Sequence, residues 1–239
     1  VENTDESVEV SYVQNGNAYK VRAKKSILAC YNSLIPHLSP ELPEAQKENL
    51  KYGVKIPLVM TNVLLRSGAA VNASGPGQYH CPGSFYSMVT KSPPVNLGNY
   101  VQSGKGSEPL VMWMAHTPTP SRSGQETARD LYRLGRHRLY RMPFAEYEEA
   151  VKNQLTAMFG ANGFNAERDI AAITVNRWSH GYTYGYTQLF DPEWDEGQAP
   201  HELGRKPMGR ISIANADAQG RASLQDAVEA AARAVKELT

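Results

Sequence analysis

The chain has 239 residues, enough for one large domain or two small ones. Its 25 Lys and Arg residues almost balance its 24 Asp and Glu residues, and a net charge of +1 gives no bulk field that favours nucleic acid or an anionic membrane. No run reaches the roughly 20 apolar residues of a membrane span. The two cysteines, Cys30 and Cys81, are too few for a disulfide framework or a zinc site, although one disulfide between them stays open.

The predicted elements include both strands and helices and indicate the α/β class, of mixed α+β character. In chain order they are strands over residues 7–13 and 18–30, a short helix over 44–52, a buried strand over 55–66, a strand over 109–117, one kinked helix or a helix pair over 125–142, an amphipathic helix over 144–160 and a strand over 169–178. Asn15-Gly16 supplies a hairpin turn with positive φ. Pro57 places its strand at a sheet edge or marks the strand start. Residues 67–109 are predicted to be irregular, with short strands.

An aromatic segment follows the strand that ends near residue 178. Between residues 176 and 186 it carries, in a loop broken by glycines, Trp178, His180, Tyr182, Tyr184 and Tyr186. Such rings suit the wall of a pocket that stacks on a flat ligand or holds a cationic substrate. A packed hydrophobic corner is the alternative. His180 could serve as a base, as a ligand or as a structural histidine.

The last thirty residues predict a strand, a small-residue turn and an amphipathic helix. The turn contains one acid, Asp217, which could bond a sugar hydroxyl of a nucleotide or simply form the turn. A helix N-terminus carries unsatisfied N–H groups and positive potential that suit an anionic ligand. The apolar face, predicted to pack closely on a sheet, consists of Leu224, Ala227, Val228, Ala231, Val235 and Leu238. The segment is half of a dinucleotide site, or else an ordinary C-terminal helix.

Other chemical motifs are missing from the sequence. Neither G-x-G-x-x-G nor G-x-x-x-x-G-K-[ST] occurs, so the Gly-rich half of a dinucleotide site is absent. The remaining histidines have no metal-ligand spacing, and no metal site is predicted. No Ser–His–Asp or Cys–His arrangement can be proposed from spacing. Five arginines between residues 129 and 141 predict a solvated helix face or a docking surface for an acidic partner.

These segments together resemble the C-terminal part of the flavin-dependent amine oxidase superfamily. ITVNRWSHGYTY (residues 173–184) followed by GRISIANADAQG (residues 209–220) is most similar to bacterial spermidine dehydrogenase-like FAD proteins. The resemblance covers nearly the whole chain. It implies the C-terminal portion of a two-domain fold, with a Rossmann-like FAD domain completed by another segment and a mixed-sheet substrate domain. Residues 1–50 and 176–239 would belong to the FAD domain, and residues 51–175 to the substrate domain.

The resemblance also implies which residues contact the cofactor. Asp217 matches the acid that meets the ribityl–pyrophosphate portion of the flavin, and Ala216 stands where the family usually has glycine. Backbone N–H groups near Ser223 and Leu224 would face the pyrimidine edge of the isoalloxazine and stabilise negative charge on the reduced flavin. The turn after Asp217 is shorter than in typical amine oxidases and lacks the aromatic residue of their paired-tyrosine cage.

Four residues are the catalytic candidates. The resemblance implies three of them: Trp178 and Tyr182 correspond to the aromatic segment beside the flavin ring and would shape the amine pocket, and Lys55 resembles the lysine that many members hydrogen-bond through water to flavin N5. The fourth, His180, lies between the two aromatic residues and is a candidate because of its residue type.

The function implied by the resemblance is that of a segment or subunit of an FAD-dependent amine or polyamine dehydrogenase. The reaction would move a hydride equivalent from the carbon beside the amine nitrogen to flavin N5. Expected partners are an N-terminal polypeptide with the Gly-rich motif, a small amine and an electron acceptor, with haem as one candidate acceptor. A non-catalytic assembly subunit and a flavoenzyme that acts on a carbon–carbon bond are the alternatives. The expected location is the periplasm, with the cytoplasm as alternative.

Overall fold

The computed structural model describes residues 1–93, 95–99, 101 and 104–239. The chain divides into two compact units. The first unit consists of Val1–Lys55, Thr127–Arg129 and Tyr182–Thr239, and the second of Ile56–Glu126 and Asp130–Gly181. Which unit binds a cofactor and which a substrate stays a prediction.

The predicted elements occur in the predicted order, and four short helices that were not predicted occur as well, at Ile35–Leu38, Ala69–Ala73, Ala166–Asp169 and Pro200–Gly204. In chain order the elements are β1 (Glu2–Asn3), β2 (Val8–Gln14), β3 (Asn17–Ala23), β4 (Ser26–Leu28), α1 (Ile35–Leu38), α2 (Glu44–Tyr52), β5 (Ile56–Leu65), α3 (Ala69–Ala73), β6 (Gln78–His80), β7 (Met88–Lys91), β8 (Leu110–His116), α4 (Ala128–Arg141), α5 (Phe144–Phe159), α6 (Ala166–Asp169), β9 (Ile170–Tyr182), α7 (Pro200–Gly204), β10 (Ile211–Ile213) and α8 (Leu224–Leu238). Short 3-10 turns cover Asn32–Leu34, Gly160–Asn162 and Asp217–Gln219.

The first unit begins with the predicted hairpin. Strands β1, β2 and β3 form an antiparallel sheet, and Asn15 and Gly16 form the turn with φ of 50° and 79°. Tyr12 pairs with Tyr19 across the hairpin, and their rings stack with centroids 5.3 Å apart. The return segment, for which the sequence leaves one strand or more open, forms two strands, because β4 leaves this sheet to pair with β10.

The parallel pair of β4 and β10 lies beside the core of the first unit. Each strand has three residues, and Ile211 of β10 also forms an isolated antiparallel bridge with Met208. All three residues of β10 are buried. The core residues around this pair are Val8, Leu28, Ile35, Leu42, Leu50, Ile211, Ile213 and Ala218.

The second unit contains a five-stranded sheet with the order β6-β7-β8-β5-β9. Because β5 lies between β8 and β9, the edge position suggested by Pro57 is wrong, and Pro57 instead stands second in the strand. The main core of this unit joins the sheet to α5, and its fully buried members include Val63, Met112, Met114, Val151, Leu155 and Phe159.

Two glycines explain where the predicted helix pair and aromatic loop were wrong. Residues 128–141 form one helix, in which a Cβ on Gly135 would lie 2.1 Å from the Pro118 carbonyl oxygen. Likewise β9 continues to Tyr182, and a Cβ on Gly181 would lie 3.0 Å from the Cβ of Leu58. Both glycines permit close packing instead of breaking an element.

Helix α8 forms as predicted, but its predicted packing face is wrong. Leu224, Val228 and Val235 are 83%, 61% and 52% exposed, whereas Ala230 and Ala234 are fully buried. The helix contacts β10, and Arg233 donates a hydrogen bond of 2.6 Å to the carbonyl oxygen of Ile213. The small alanine face therefore packs in the unit, and the larger apolar residues face outward.

Three further findings concern the described residues only. No helix there has the length and apolarity to cross a bilayer. Cys30 and Cys81 are free thiols, so the single disulfide left open by the sequence does not form. No group of three or more His, Cys, Asp or Glu side chains in the described ranges could hold a metal ion.

Candidate functional site

Asp217 lies in the first unit, in the connection between β10 and α8. It begins a 3-10 turn that ends at Gly220, whose φ of +67° allows the chain to reverse into the helix. Asn215 holds the turn in place. Its Oδ1 accepts a bond of 2.8 Å from the Ala218 N–H, and its Nδ2 donates one of 2.5 Å to the Cys30 carbonyl. The predicted strand–turn–helix is therefore confirmed, with a side-chain clamp between β10 and the segment after β4.

The structure brings two predicted site residues, Lys55 and Asp217, into direct contact. Lys55 Nζ lies 2.5 Å from Asp217 Oδ1, and both side chains are only 10% exposed. Thr183 Oγ1 donates a bond of 2.9 Å to the same carboxylate oxygen, and the Asn32 N–H donates one of 3.2 Å to Oδ2. The Lys55 ammonium also lies 4.6 Å from the centre of the Tyr31 ring. The charges of both residues are thus balanced inside the unit.

This ion pair is a structural feature as well as a candidate site. A charge removed from water is costly unless an opposite charge and further hydrogen bonds compensate it. Asp217 has both, from Lys55, Thr183 and Asn32. In this arrangement the carboxylate oxygens already accept three donors, which leaves little capacity for the hydroxyl of a ligand.

The space beside Asp217 is small. A cavity of about 10 Å³ is lined by Asn32, Thr183, Tyr186 and Asp217, among others. That volume corresponds to about one water molecule, whereas pockets for drug-sized ligands or cofactors hold roughly 300 Å³ or more. A wider groove of about 670 Å³ at the base of the hairpin contains none of the predicted site residues.

The other predicted cofactor residues lie near the start of α8. Ala216 immediately precedes the 3-10 turn. Ser223 is the N-cap of α8, and its Oγ accepts a bond of 3.1 Å from the Asp226 N–H. Ser223 and Leu224 are both exposed. Their predicted contact with a flavin stays a prediction.

The aromatic segment separates into exposed and buried parts. Trp178 and His180 lie on β9 in the second unit, and Trp178 is 56% exposed. His180 Nδ1 lies 2.9 Å from Ser179 Oγ. Tyr182 ends β9, belongs to the first unit and is 48% exposed. Their catalytic roles stay predictions.

Tyr184 and Tyr186 instead form a packed aromatic corner in the first unit. The Tyr184 and Tyr52 hydroxyls donate bonds of 2.7 and 2.8 Å to the buried carboxylate of Asp191. The rings of Tyr186 and Trp194 lie 4.8 Å apart. Burial raises the pKa of Tyr52 and of Tyr186 to about 12. The hydrogen bond to Asp191 raises the pKa of Tyr52 further, whereas the His201 N–H that bonds the Tyr186 hydroxyl oxygen lowers that of Tyr186. For Tyr184 and Tyr186, the two members of the aromatic segment in this corner, the alternative of a packed hydrophobic corner is confirmed.

A neighbouring contact assigns one of the predicted surface arginines. The Arg129 guanidinium lies 3.8 Å from the centre of the Tyr52 ring, a cation–π geometry. Arg129 therefore belongs to the aromatic corner, while Arg133, Arg138 and Arg141 remain exposed on α4 as predicted.

The second unit holds a buried histidine that sequence reasoning did not single out. His116 Nδ1 lies 2.6 Å from the Phe85 carbonyl, which can only accept, so Nδ1 donates and Nε2 carries the lone pair. Among the described residues Nε2 has no hydrogen-bond partner. Burial lowers the pKa of His116 to about 4, so the ring is neutral near pH 7.

Sequence reasoning also missed Thr183, Asn32 and Asp191. Thr183 adjoins the aromatic residues that drew attention, and its short polar side chain gave no signal of its own. Asn32 contributes through its backbone N–H, which no residue type reveals. Asp191 precedes Pro192 in the sequence, yet it is 7% exposed and accepts hydrogen bonds from two tyrosine hydroxyls.

Comparison with known proteins gives a likeness of fold. No protein-family model matches the chain, and no curated protein matches it. Cyclohexylamine oxidase from Brevibacterium oxydans IH-35A is similar over 98% of this chain and 46% of its own, with a TM-score of 0.67 and 13% identity. A putrescine oxidase variant from a redesign of cofactor binding is similar over 97% of this chain and 48% of its own, with a TM-score of 0.63 and 13% identity. Wild-type putrescine oxidase bound to putrescine is similar over 96% of this chain and 48% of its own, with a TM-score of 0.60 and 12% identity.

The chain therefore has the mixed α/β fold of about half of an amine oxidase chain. It spans about half the length of the solved structures that it matches. At 12–13% identity this likeness concerns the fold and does not by itself transfer an activity.

The described residues do not form a flavin site on their own. The acid expected to meet the cofactor is ion-paired with Lys55, and the cavity beside it holds about 10 Å³. An isoalloxazine ring is much larger than this cavity. It could bind there only if the ion pair between Lys55 and Asp217 separated and other residues supplied the rest of the pocket.

Proposed function

We propose that this chain is a segment or subunit of an FAD-dependent amine oxidoreductase that needs a further N-terminal portion for its cofactor site. The observation that carries the proposal is the likeness of 98% of the chain to about half of cyclohexylamine oxidase. The strand–turn–helix with Asp217 supports it, because such a connection places an acid and a helix N-terminus at the end of a parallel strand.

The proposed substrate is a small amine of the polyamine type, such as spermidine. Two solved structures similar in fold are oxidases of cyclohexylamine and putrescine, both of them amines. The proposed reaction class is oxidation of the carbon–nitrogen bond of that amine. The proposal assigns FAD as cofactor, and haem as electron acceptor rests on the resemblance alone.

The test is the visible absorption spectrum of the native protein, isolated together with whatever polypeptides accompany it. Flavin bands that bleach on anaerobic addition of spermidine or putrescine support the proposal. Cyclohexylamine serves as a third amine, and a non-amine alcohol serves as control. Flavin bands that none of the amines bleaches contradict amine oxidation and support the flavoenzyme that acts on a carbon–carbon bond.

A non-catalytic assembly subunit is the second candidate. The observation that favours it is the ion pair between Lys55 and Asp217, because it engages both predicted flavin-contacting side chains in a structural contact. This candidate predicts that the native complex contains no flavin even when a Gly-rich partner is present. Mass spectrometry of the cofactors released by heat or acid distinguishes the two candidates.

The periplasmic location remains a proposal carried by the resemblance alone. Fractionation of the source cells, with a cytoplasmic and a periplasmic marker enzyme measured in the same fractions, tests it against the cytoplasmic alternative.

A further inference from the structure

The tip of the β2–β3 hairpin consists of one Asn-Gly pair, Asn15-Gly16. Both residues are exposed, and both have positive φ, of 50° and 79°. In the described part of the chain, neither the Asn15 amide nor the Gly16 N–H forms a hydrogen bond. A Cβ built on Gly16 would meet nothing within 4 Å, so the space beside this backbone is open. The two groups are therefore accessible to each other and to water.

The sequence contains one other Asn-Gly pair, Asn162-Gly163, and the structure holds it differently. Both of its residues are also exposed, and Gly163 also has a positive φ, of 88°. Asn162 Nδ2, however, donates a bond of 3.2 Å to the Ala70 carbonyl, and the Gly163 N–H donates one of 2.9 Å to the Gly160 carbonyl. Exposure thus does not distinguish the two pairs, whereas the hydrogen bonds of the amide and the N–H do.

An asparagine followed by glycine can lose its side-chain amide, because glycine has no Cβ to obstruct attack by its own nitrogen. The Gly16 nitrogen, after loss of its proton to solvent, would form a bond to Cγ of Asn15. The bond between Cγ and the side-chain nitrogen would break, and ammonia would leave. Water then opens the cyclic imide, either at Cγ to give aspartate or at the main-chain carbonyl to give isoaspartate. The net reaction consumes water, releases ammonia and involves no oxidation or reduction.

We propose that Asn15 is a site of spontaneous deamidation to aspartate and isoaspartate, and that Asn162 is protected from the same reaction. The side-chain amide and the following N–H must be free of other partners to react with each other. Asn15-Gly16 meets this condition in the folded chain, whereas Asn162-Gly163 must first break two hydrogen bonds. The inference is independent of the proposed function, because no cofactor or substrate takes part.

The two products should affect the hairpin differently. Asp-Gly suits a two-residue hairpin turn as well as Asn-Gly does, so the aspartyl form should keep the hairpin. Isoaspartate adds one methylene group to the main chain at the turn. The added group should disturb the pairing of Gln14 with Asn17 and the stacking of Tyr12 on Tyr19, because the length of the turn sets the register of the two strands. Isoaspartate would therefore loosen the hairpin as the protein ages.

The experiment follows both Asn-Gly pairs in the same sample of the full chain. The folded chain and the chain unfolded in urea are incubated in the same mildly alkaline buffer. Proteolytic peptides that contain residue 15 or residue 162 are quantified by mass spectrometry, and fragmentation by electron transfer separates aspartate from isoaspartate. The variant Asn15→Gln keeps a side-chain amide but would have to close a larger ring, and it serves as the matched control.

In the folded chain we expect deamidation at Asn15 to be more than roughly tenfold faster than at Asn162, because two hydrogen bonds must break before Asn162 reacts. In urea the two rates should agree within roughly threefold, because those hydrogen bonds are gone. Asn15→Gln should abolish the reaction in the peptide that contains residue 15 and leave the rate at Asn162 unchanged.

Three results overturn the inference. Equal rates at Asn15 and Asn162 in the folded chain show that the hydrogen bonds do not protect Asn162. A folded chain in which Asn15 does not react, although the unfolded chain does, shows that the turn holds the two groups apart. A mass increase that persists in Asn15→Gln places the reaction at Gln14 or Asn17 instead.

The effect on the hairpin is measured by hydrogen exchange of β2 and β3. The isoaspartyl chain, separated by ion exchange, is compared with the variant Asn15→Asp, which carries the same charge on an unchanged main chain. Faster exchange in the isoaspartyl chain alone is the expected result, because exchange reports local opening. Equal exchange in the two forms overturns the proposed loosening of the hairpin.

Discussion

Helices α5 and α8 have nearly the same length and each carries an apolar stripe, but only one stripe is covered. In α5, of the second unit, Tyr147, Val151 and Leu155 are fully buried and Phe159 is 1% exposed. In α8, of the first unit, Leu224, Val228 and Val235 are 52–83% exposed. The same sequence pattern thus ends in a core in one unit and at the surface in the other.

The sheets of the two units also differ, in the number of strands that pair. The second unit has five paired strands, whereas the parallel sheet of the first unit has two strands of three residues. Three or more strands with a covered face are needed before a sheet is stable by itself. The comparison shows that, among the described residues, the second unit buries its helix stripe and pairs more strands in one sheet than the first unit does.

The largest expected effect comes from truncation of the covered stripe. Phe159→Ala should lower the free energy of unfolding by about 3–5 kcal/mol, because it leaves a cavity in a core that cannot collapse fully. The matched change in the exposed stripe, Val235→Ala, should alter it by less than about 0.5 kcal/mol. Urea unfolding followed by circular dichroism measures both. Similar costs for the two changes would break the comparison of the helices.

The next largest loss of folding stability is expected when the ion pair between Lys55 and Asp217 in the first unit is broken. Asp217→Asn leaves the Lys55 ammonium buried without its counter-charge, and we expect a loss of about 3 kcal/mol. The double change Lys55→Met with Asp217→Asn should cost clearly less than the sum of the two single changes. Additive costs in urea unfolding would mean that Lys55 and Asp217 do not depend on each other, and the structural part of the candidate site would be wrong.

A pH effect should follow from His116 in the second unit. Its pKa in the folded chain is about 4, below the usual 6.5, so protons bind the unfolded chain more readily between these values. The stability from the neutral ring is fully present above about pH 6.5 and is lost as the pH falls toward 4. We expect about 2 kcal/mol less stability at pH 5 than at pH 7 from this group.

The control for the pH effect is His116→Gln, which should remove that part of the pH dependence. His201 of the first unit also has its pKa lowered by burial. The variant His201→Gln therefore tests whether the first unit contributes less than the second to the pH dependence of stability. If His116→Gln leaves the slope of stability against pH unchanged, the ring is not buried in its neutral form.

The smallest effect concerns two glycines with positive φ. Gly16 in the hairpin has φ of +79° and Gly163 after α5 has φ of +88°, and a Cβ at either would meet nothing within 4 Å. Each change to alanine should cost about 1 kcal/mol of backbone strain. If the hairpin opens independently of the core, Gly16→Ala should lower the melting temperature less than Gly163→Ala. A larger decrease for Gly16→Ala would contradict this order.

Local signals predicted the elements well, and packing decided what they could not. Asn15-Gly16 and the periodicity of residues 44–52 and 144–160 rest on neighbouring residues, so the hairpin and both helices were correctly predicted. Gly181 looked like a break because a sequence does not reveal that Leu58 packs against it. In α8 the periodicity identified which residues share a face, but not that Leu224, Val228 and Val235 on this face would be exposed.

The candidate site was predictable only in part, for a similar reason. Lys55 and Asp217 were each singled out through a resemblance, yet their contact follows from the topology of the first unit. Thr183 and Asn32 complete the cluster through one hydroxyl and one backbone N–H, groups that nearly every chain segment offers. Tyr184 and Tyr186 turned out to be structural because Asp191 and Trp194 fold back on them.

Hydrogen exchange of the chain tests the central claim, that the stripe of α5 is buried and that of α8 is exposed, most directly. The amides of α5 should exchange at least about a hundredfold more slowly than those of α8, because exchange reports local opening. Equal protection of the two helices would contradict this difference between the units.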